Sequence, residues 1–129
     1  MREILFRGKR EFNGEWITGS LVVDHSGYTY IVLEYEACRG IRASISSKTI
    51  SVIPKTVGQY TGCQDKGGKK VFEGDIVWDN ENDQLGIVEF DEGEFFVSFD
   101  GNIESGFADV INCCYVQGNI HDDYKMLGW

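Results

Sequence analysis

The sequence predicts an all-β protein made of two small antiparallel lobes with little helix. Apolar residues recur at every second position far more often than at helical spacing, which is the pattern of half-buried strands. The 129 residues include 16 glycines and one proline, a composition that suits many tight turns. Short apolar runs between turn signals are typical of small barrels. The length favours one compact unit that contains both lobes.

The N-terminal lobe is predicted over residues 1–57 and begins with a hairpin. Its first strand starts at residues 4–7. The pair Asn13-Gly14 is the strongest short hairpin signal in the chain, because this dipeptide suits the tight turns that join antiparallel strands. It leads into a second strand over residues 16–23.

Two further segments extend this lobe. A turn over residues 25–27 precedes a third strand over residues 28–35, which is rich in β-branched and aromatic side chains. Residues 41–53 alternate less regularly and predict one or two short edge strands. A connector punctuated by glycines follows Pro54.

The C-terminal lobe is predicted over residues 58–129 as a compact SH3-like barrel. A turn over residues 65–68 reverses the chain between two short strands. Strand, turn and strand then alternate, as in a small antiparallel barrel. The elements are three strands over residues 76–78, 85–90 and 94–99, a helical turn over residues 107–112, and a closing strand over residues 115–120.

Charge is unevenly divided between the halves. Up to Gln59, eight basic and six acidic residues give +2, whereas four basic and fifteen acidic residues from Tyr60 onward give −11. Surfaces that bind nucleic acid are normally basic, so the acidic lobe is not expected to bind DNA or RNA. The first half has a modest basic cluster, which we interpret as a solvated mixed surface. Its members are Arg2, Arg7, Lys9, Arg10, Arg39 and Arg42.

The apolar runs bear on location. Runs such as residues 30–33 are far shorter than the roughly 18 residues that a spanning helix needs. The N-terminus lacks the apolar core of a signal peptide. We therefore expect no membrane contact and a cytoplasmic protein, in which cysteines are normally reduced. The cysteines expected to be free thiols are Cys38, Cys63, Cys113 and Cys114.

Three carboxylates lie close together in the connector, at Asp65, Glu73 and Asp75. Paired carboxylates perform acid–base work in hydrolases. However, an aspartate beside a glycine and before an apolar run also caps the backbone N–H groups of a tight turn. We favour this structural role, since His25 and His121 lie in no motif with a nucleophile. The sequence predicts neither an enzyme nor a cofactor site.

Metal ligands are not predicted either. The adjacent Cys113 and Cys114 do not have the spacing of zinc ligands. The acidic loop over residues 79–84 has carboxylates at alternate positions, like an EF-hand, but it lacks the glycine at the sixth position. Phe90 stands where the bidentate glutamate of an EF-hand belongs.

Three ordered blocks of the chain resemble the YopX family of small phage and prophage proteins. They lie at residues 6–19, in the connector over residues 56–77, and at residues 118–120. Departures from the family pattern occur at Cys63 and over residues 121–127, and they affect the packing of the tail. The resemblance implies an all-β fold and action inside an infected or lysogenic bacterium.

The residues that match the family motif are expected to be structural, because the resemblance implies no catalytic residue. They are Gly14, Trp16, Gln59, Tyr60, Thr61, Gly62, Asp65, Gly68, Glu73, Gly74, Asp75, Gly118, Asn119 and Ile120.

We predict a nonenzymatic accessory protein whose acidic lobe contacts an unknown protein partner or a second copy of the chain. Trp129 is expected to dock in such self-association. One alternative is a nucleic-acid mimic, in which carboxylates over residues 75–109 imitate phosphates and occupy a DNA-binding protein. Another is weak binding of single-stranded nucleic acid by the basic and aromatic N-terminal lobe.

Overall fold

The computed structural model describes residues 3–33 and 49–129. The chain divides into two compact units, unit 1 (Met1–Gln59) and unit 2 (Tyr60–Trp129). The predicted boundary, between residues 57 and 58, lies two residues earlier. Antiparallel strands dominate the described residues and helices are short, which confirms the all-β prediction. No helix among the described residues is long and apolar enough to cross a membrane.

Unit 1 contains a sheet in which neighbouring strands follow the order β4-β3-β2-β1. The turn predicted at Asn13-Gly14 joins β1 to β2, with Lys9 opposite Trp16. The first residues of β5 pair with β1. The strands are β1 (Phe6–Lys9), β2 (Trp16–Val23), β3 (Thr29–Leu33), β4 (Thr49–Ser51) and β5 (Gly58–Gln64), the last of which continues into unit 2.

Part of the sequence prediction for unit 1 lies outside the described residues. This holds for residues 34–35 of the third strand and for residues 41–48 of the edge segment. After β4, a short 3₁₀-helix (Pro54–Thr56) precedes β5. The hydroxyl of Thr56 accepts a hydrogen bond from the Lys9 N–H at 2.9 Å, so this helix is tied to β1.

Unit 2 contains a five-stranded sheet in the order β10-β9-β8-β7-β11. The remainder of β5 pairs with β6 across the predicted turn. The strands are β6 (Lys70–Phe72), β7 (Asp75–Asp79), β8 (Gln84–Asp91), β9 (Glu94–Phe99), β10 (Asn102–Glu104) and β11 (Cys114–Asn119). The helices are α1 (Phe107–Ile111), α2 (Ile120–Asp123) and a 3₁₀-helix (Tyr124–Leu127).

One side of this sheet forms a buried core. The alternation of β7, β8 and β9 places Val77, Val88 and Val97 on one face. Ile111 of α1 and Cys114 of β11 complete the cluster. Its strand members are Val71, Val77, Val88, Val97 and Phe99.

One strand of unit 2, at an edge of the sheet, was not predicted from the sequence. β10 was not predicted, because its three residues, with the single apolar Ile103, are too few to establish an alternating pattern. The predicted closing strand corresponds to β11, which pairs with β7 at one edge of the sheet. β10 forms the opposite edge of the sheet. The SH3-like barrel expected for this lobe stays a prediction.

Candidate functional site

Asp65 organises the turn between β5 and β6. Its Oδ1 atom accepts hydrogen bonds from the N–H groups of Gly67 and Lys69, both at 2.9 Å. Its Oδ2 atom accepts a third from the N–H of Val116 in β11, also at 2.9 Å. The side chain is buried. The carboxylate therefore caps its own turn and joins that turn to a distant strand.

Asp75 has a comparable role at the start of β7. Its side chain is 1% exposed, and Oδ2 accepts the N–H of Phe72 at 2.8 Å. The carbonyl of the preceding Gly74 accepts the N–H of Ile120 at 2.9 Å. Asp75 itself lies opposite Asn119 in the β7–β11 pair. The structure thus brings the middle and last motif blocks together through backbone pairing.

Asp79 closes the acidic loop that follows β7. It accepts hydrogen bonds from the side chains of Asn82 and Gln84 at 2.8 and 3.2 Å. Burial raises the pKa of Asp79, but these bonds and those from the backbone of Glu81 and Asn82 outweigh burial and lower it. Within residues 3–33 and 49–129, no group of three or more His, Cys, Asp or Glu side chains is placed to hold a metal.

The last motif block starts α2. The Oδ1 atom of Asn119 accepts the N–H groups of His121 and Asp122, both at 3.0 Å, which is the geometry of a helix N-cap. A Cβ atom at Gly118 would collide with the carboxylate of Asp123. That carboxylate accepts the N–H of Asn119 at 3.1 Å. Glycine at position 118 therefore lets the Asp123 carboxylate approach β11 this closely.

Other motif residues shape strands and turns. The Thr61 hydroxyl donates to the Val71 carbonyl at 2.8 Å, beside an irregularity in the β5–β6 pairing. The rings of Tyr60 and Phe72 lie 5.5 Å apart, and Gln59 lies opposite Phe6 in the β1–β5 pair. Glu73 is half-buried. The motif glycines that adopt positive φ angles are Gly14, Gly62, Gly68 and Gly74.

Trp16 lies beneath two cations of its own hairpin. The guanidinium carbon of Arg7 is 4.9 Å from the ring centroid and the Nζ atom of Lys9 is 5.8 Å from it. Such pairs are attractive because the ring face is electron-rich. These contacts occupy ring surface that a base would otherwise stack on.

Three cysteines in the described residues are free thiols, Cys63, Cys113 and Cys114, while Cys38 lies outside those residues. Burial, reinforced by negative charge led by Asp79, raises the pKa of the Cys114 thiol to about 12. Its Sγ atom donates to the Val110 carbonyl at 3.2 Å. Cys114 is therefore a core residue and a poor nucleophile at neutral pH.

An exposed acidic hairpin distinguishes unit 2. The four carboxylates of the hairpin between β8 and β9 are all exposed, and they are Glu89, Asp91, Glu92 and Glu94. Asp91 lies directly opposite Glu94. The adjacent ring of Phe90 is 47% exposed and lies 4.8 Å from Phe95. This surface combines like charges with accessible aromatic area.

Two adjoining grooves lie beside Trp78 of the same sheet. They have volumes of about 400 and 450 Å³, and both are lined by Trp78, Asp83 and Leu85. Trp129 lines the first groove and Met126 lines the second. No sequence motif predicts this groove, although Trp129 was expected to dock against a second copy of the chain. Its only sequence signal is the excess of tryptophan, since the elements that form it meet through tertiary structure.

Comparisons with known proteins are consistent with this description. The model of the YopX protein family matches residues 5–128. The chain is similar to the crystal structure of protein EF1440 from Enterococcus faecalis, with a TM-score of 0.67 and 20% sequence identity. That match covers 98% of this chain and 99% of the other, and at this identity it shows the fold alone. No curated protein matches the chain.

Proposed function

Since the chain belongs to the YopX family, we propose that it is a phage- or prophage-encoded accessory protein that acts in the cytoplasm of the host bacterium. It works without catalysis, by binding a basic protein partner through unit 2. The motif residues support this proposal, because Asp65, Asp75 and Asn119 use their polar atoms to hold turns and a helix end.

The observation that carries the proposal is the β8–β9 hairpin. Like charges directly opposite each other in a sheet are destabilising, yet Asp91 faces Glu94 with Glu92 between them in the turn. A partner's lysine and arginine side chains would relieve this repulsion on binding. The exposed ring of Phe90 adds apolar area of the kind that is enriched at interfaces.

The distribution of the other carboxylates supports the same proposal. Of the fifteen acidic residues in unit 2, Asp65, Asp75 and Asp79 are buried and accept backbone hydrogen bonds. Ten others are exposed. An acidic surface of this size speeds encounter with a basic partner, and salt weakens the attraction.

The two alternatives are less well supported. Arg7 and Lys9 already lie over Trp16, which reduces the aromatic surface that single-stranded nucleic acid would need. Mimicry of nucleic acid is a special case of binding a basic partner. It gains support if the recovered partner is a DNA-binding protein that DNA displaces.

The test is a pull-down from infected cells with the tagged protein at low and high salt, followed by mass spectrometry. The test variant combines Asp91→Asn, Glu92→Gln and Glu94→Gln. The matched control combines Asp91→Glu, Glu92→Asp and Glu94→Asp, which alters the same positions but keeps the charge.

We expect one partner with an excess of basic residues at low salt, and at least tenfold less of it at high salt. The neutralised variant recovers at least fivefold less partner than the control variant. Recovery of no protein other than the bait at either salt concentration contradicts the proposal, as does equal recovery by the two variants.

A further inference from the structure

The groove beside Trp78 has a wall built by strand pairing. Trp78 of β7 lies opposite Leu85 of β8 and opposite Tyr115 of β11. Directly opposed residues of antiparallel strands share one face of the sheet. The rings of Trp78 and Tyr115 are 6.2 Å apart. This apolar row therefore lies on the face opposite the buried core.

Trp129 lines the same groove as Trp78. It is 47% exposed, so part of its indole is accessible to a bound group. Tryptophan is the aromatic side chain that attracts cations most strongly through its ring face. Two indoles in one groove thus favour a cationic occupant over a purely aliphatic one.

Carboxylates complete the groove. Asp83 and Asp100 both line it, and both are exposed. The Oδ1 atom of Asp83 accepts the indole N–H of Trp78 at 3.0 Å, which fixes the carboxylate beside the ring. Among the described residues that line the two grooves, none is basic. The groove therefore has aromatic surface and negative charge with no basic residue in its lining, and the Nζ atom of Lys66 lies 5.9 Å from the ring centroid of Tyr115, beside Trp78.

We propose that this groove binds an arginine side chain of the partner protein, whose guanidinium lies against the indoles of Trp78 and Trp129 and donates to Asp83 and Asp100. Arginine fits better than lysine, because a planar guanidinium can stack on a ring and donate to a carboxylate at the same time. A volume of about 400 Å³ lies in the range of small-molecule sites. This assignment rests on the proposed function and names the contact that would make it specific.

The direct test is a titration of the full-length, ¹⁵N-labelled protein with a short peptide, acetyl-Gly-Leu-Arg-Leu-Gly-amide, observed by NMR. The chain has three tryptophans, so the indole N–H signals of Trp78 and Trp129 report on the groove and that of Trp16 is an internal control. A second peptide carries citrulline in place of arginine, which keeps the shape and removes the charge. A third peptide carries lysine.

We expect saturable shifts of the Trp78 and Trp129 signals with the arginine peptide and no shift of the Trp16 signal. Affinity for the citrulline peptide is at least tenfold lower, and affinity for the lysine peptide lies between the two. Unchanged Trp78 and Trp129 signals, or equal affinity for arginine and citrulline peptides, overturns the assignment.

Variants of the groove then test the arginine assignment separately from the proposed function. The test variant combines Asp83→Asn with Asp100→Asn, and a second test variant is Trp129→Ala. The matched control combines Glu104→Gln with Asp109→Asn, which removes the same number of charges from exposed residues of unit 2 outside the groove. Correct folding of each variant is checked from its backbone NMR spectrum.

The assignment predicts that each test variant recovers at least fivefold less partner in the pull-down than the control variant does. Its affinity for the arginine peptide should also be at least fivefold lower than that of the control. If a basic partner is recovered equally by test and control variants, the groove assignment is wrong and the proposed function stands. If no partner is recovered by the unmodified protein, the proposed function is wrong, and the peptide titration alone decides whether the groove binds arginine.

Discussion

The buried side chains that hold turns differ in chemistry between units 1 and 2, since the turn carboxylate of unit 1, Asp24, is only half-buried. In unit 1, the hydroxyl of Thr56 accepts the Lys9 N–H and donates to the Ile53 carbonyl. In unit 2, the buried carboxylates of Asp65, Asp75 and Asp79 accept backbone N–H groups. Bonds to a charged acceptor are roughly twice as strong as neutral ones. The acidic unit therefore uses part of its charge to define its own fold.

This difference shows that net charge alone does not measure a binding surface. Three of the carboxylates in unit 2 are buried and bound to the backbone, so a partner cannot reach them. The carboxylates that remain available lie on loops and strand faces, such as those of the β8–β9 hairpin. Mutation of a buried carboxylate should therefore lower stability, whereas mutation of an exposed carboxylate should weaken association with a partner.

The sharpest contrast between the units is expected at two glycines within strands. A Cβ atom at Gly19 of unit 1 would collide with the backbone carbonyl of Val32, whereas one at Gly86 of unit 2 would lie 2.6 Å from a methyl group of Val97. Backbone in a sheet yields less readily than a side chain. We expect Gly19→Ala to lower the free energy of unfolding by about 3 kcal/mol or more and Gly86→Ala by about 2 kcal/mol.

Urea unfolding followed by tryptophan fluorescence measures both values. Gly27→Ala is the matched control for unit 1, since open space surrounds that position and only its φ angle of +89° adds strain. A larger loss of unfolding free energy for Gly86→Ala than for Gly19→Ala would contradict the expected order of the two units.

The next largest effect is expected at Asp65. Asp65→Ala removes the acceptor of three N–H groups, those of Gly67, Lys69 and Val116. Unpaired buried donors are costly, and we expect a loss of about 3 kcal/mol in the free energy of unfolding. Thr56→Val in unit 1 removes two bonds of a neutral hydroxyl and should cost about 1 kcal/mol.

Chemical denaturation of both variants tests this ranking, with Glu94→Gln as an exposed carboxylate that should change stability by less than about 0.5 kcal/mol. Equal losses for Asp65→Ala and Thr56→Val would show that charge adds nothing to these turns.

A smaller, pH-dependent effect is expected at Asp79. Its lowered pKa means that the folded state binds the proton more weakly than the unfolded chain. The stabilisation is therefore complete above the unfolded value of 3.8 and is lost as the pH falls through the folded pKa. At pH 7, Asp79→Asn should cost about 1 kcal/mol, and the difference from the unmodified protein should shrink in acid.

Unfolding midpoints measured from pH 7 down to pH 3 give this comparison. Asp109→Asn is the control, because Asp109 is exposed. A difference between Asp79→Asn and the unmodified protein that is constant across this range contradicts the assigned role.

The smallest effect concerns reactivity and leaves stability unchanged. Because burial raises the pKa of Cys114 to about 12, this thiol should react with iodoacetamide at least tenfold more slowly at pH 8 than its half-buried neighbour Cys113. Mass spectrometry of the alkylated peptide, fragmented between the two residues, measures both rates. Faster reaction at Cys114 would show that the core of unit 2 opens readily.

Local signals in the sequence predicted much of this fold. Asn13-Gly14 identified the β1–β2 hairpin, because the preference of that dipeptide for tight turns does not depend on the rest of the chain. The capping role of the connector aspartates was inferred in the same way, and in the structure Asp65 accepts the N–H groups of Gly67 and Lys69. Positions where glycine and aspartate alternate with short apolar runs therefore predicted the turns and the strands beside them.

Long-range features were not predictable from the same signals. The bond that the Val116 N–H donates to Asp65 joins residues far apart in sequence, and no local preference encodes it. The groove has the same origin, since Trp78, Asp100 and Trp129 meet only when strands and the final helical segment are in place. β10 lacked a signal because three residues are too few to show the periodicity of a strand.

The bond between Asp65 and Val116 also has a consequence for folding order. It spans 51 positions, so during synthesis the accepting carboxylate leaves the ribosome well before the strand that donates the N–H group exists. Folding slows when native contacts join distant parts of a chain. Until β11 is released, this turn has to rely on water for its third hydrogen bond, and completion of unit 2 becomes a late, cooperative event.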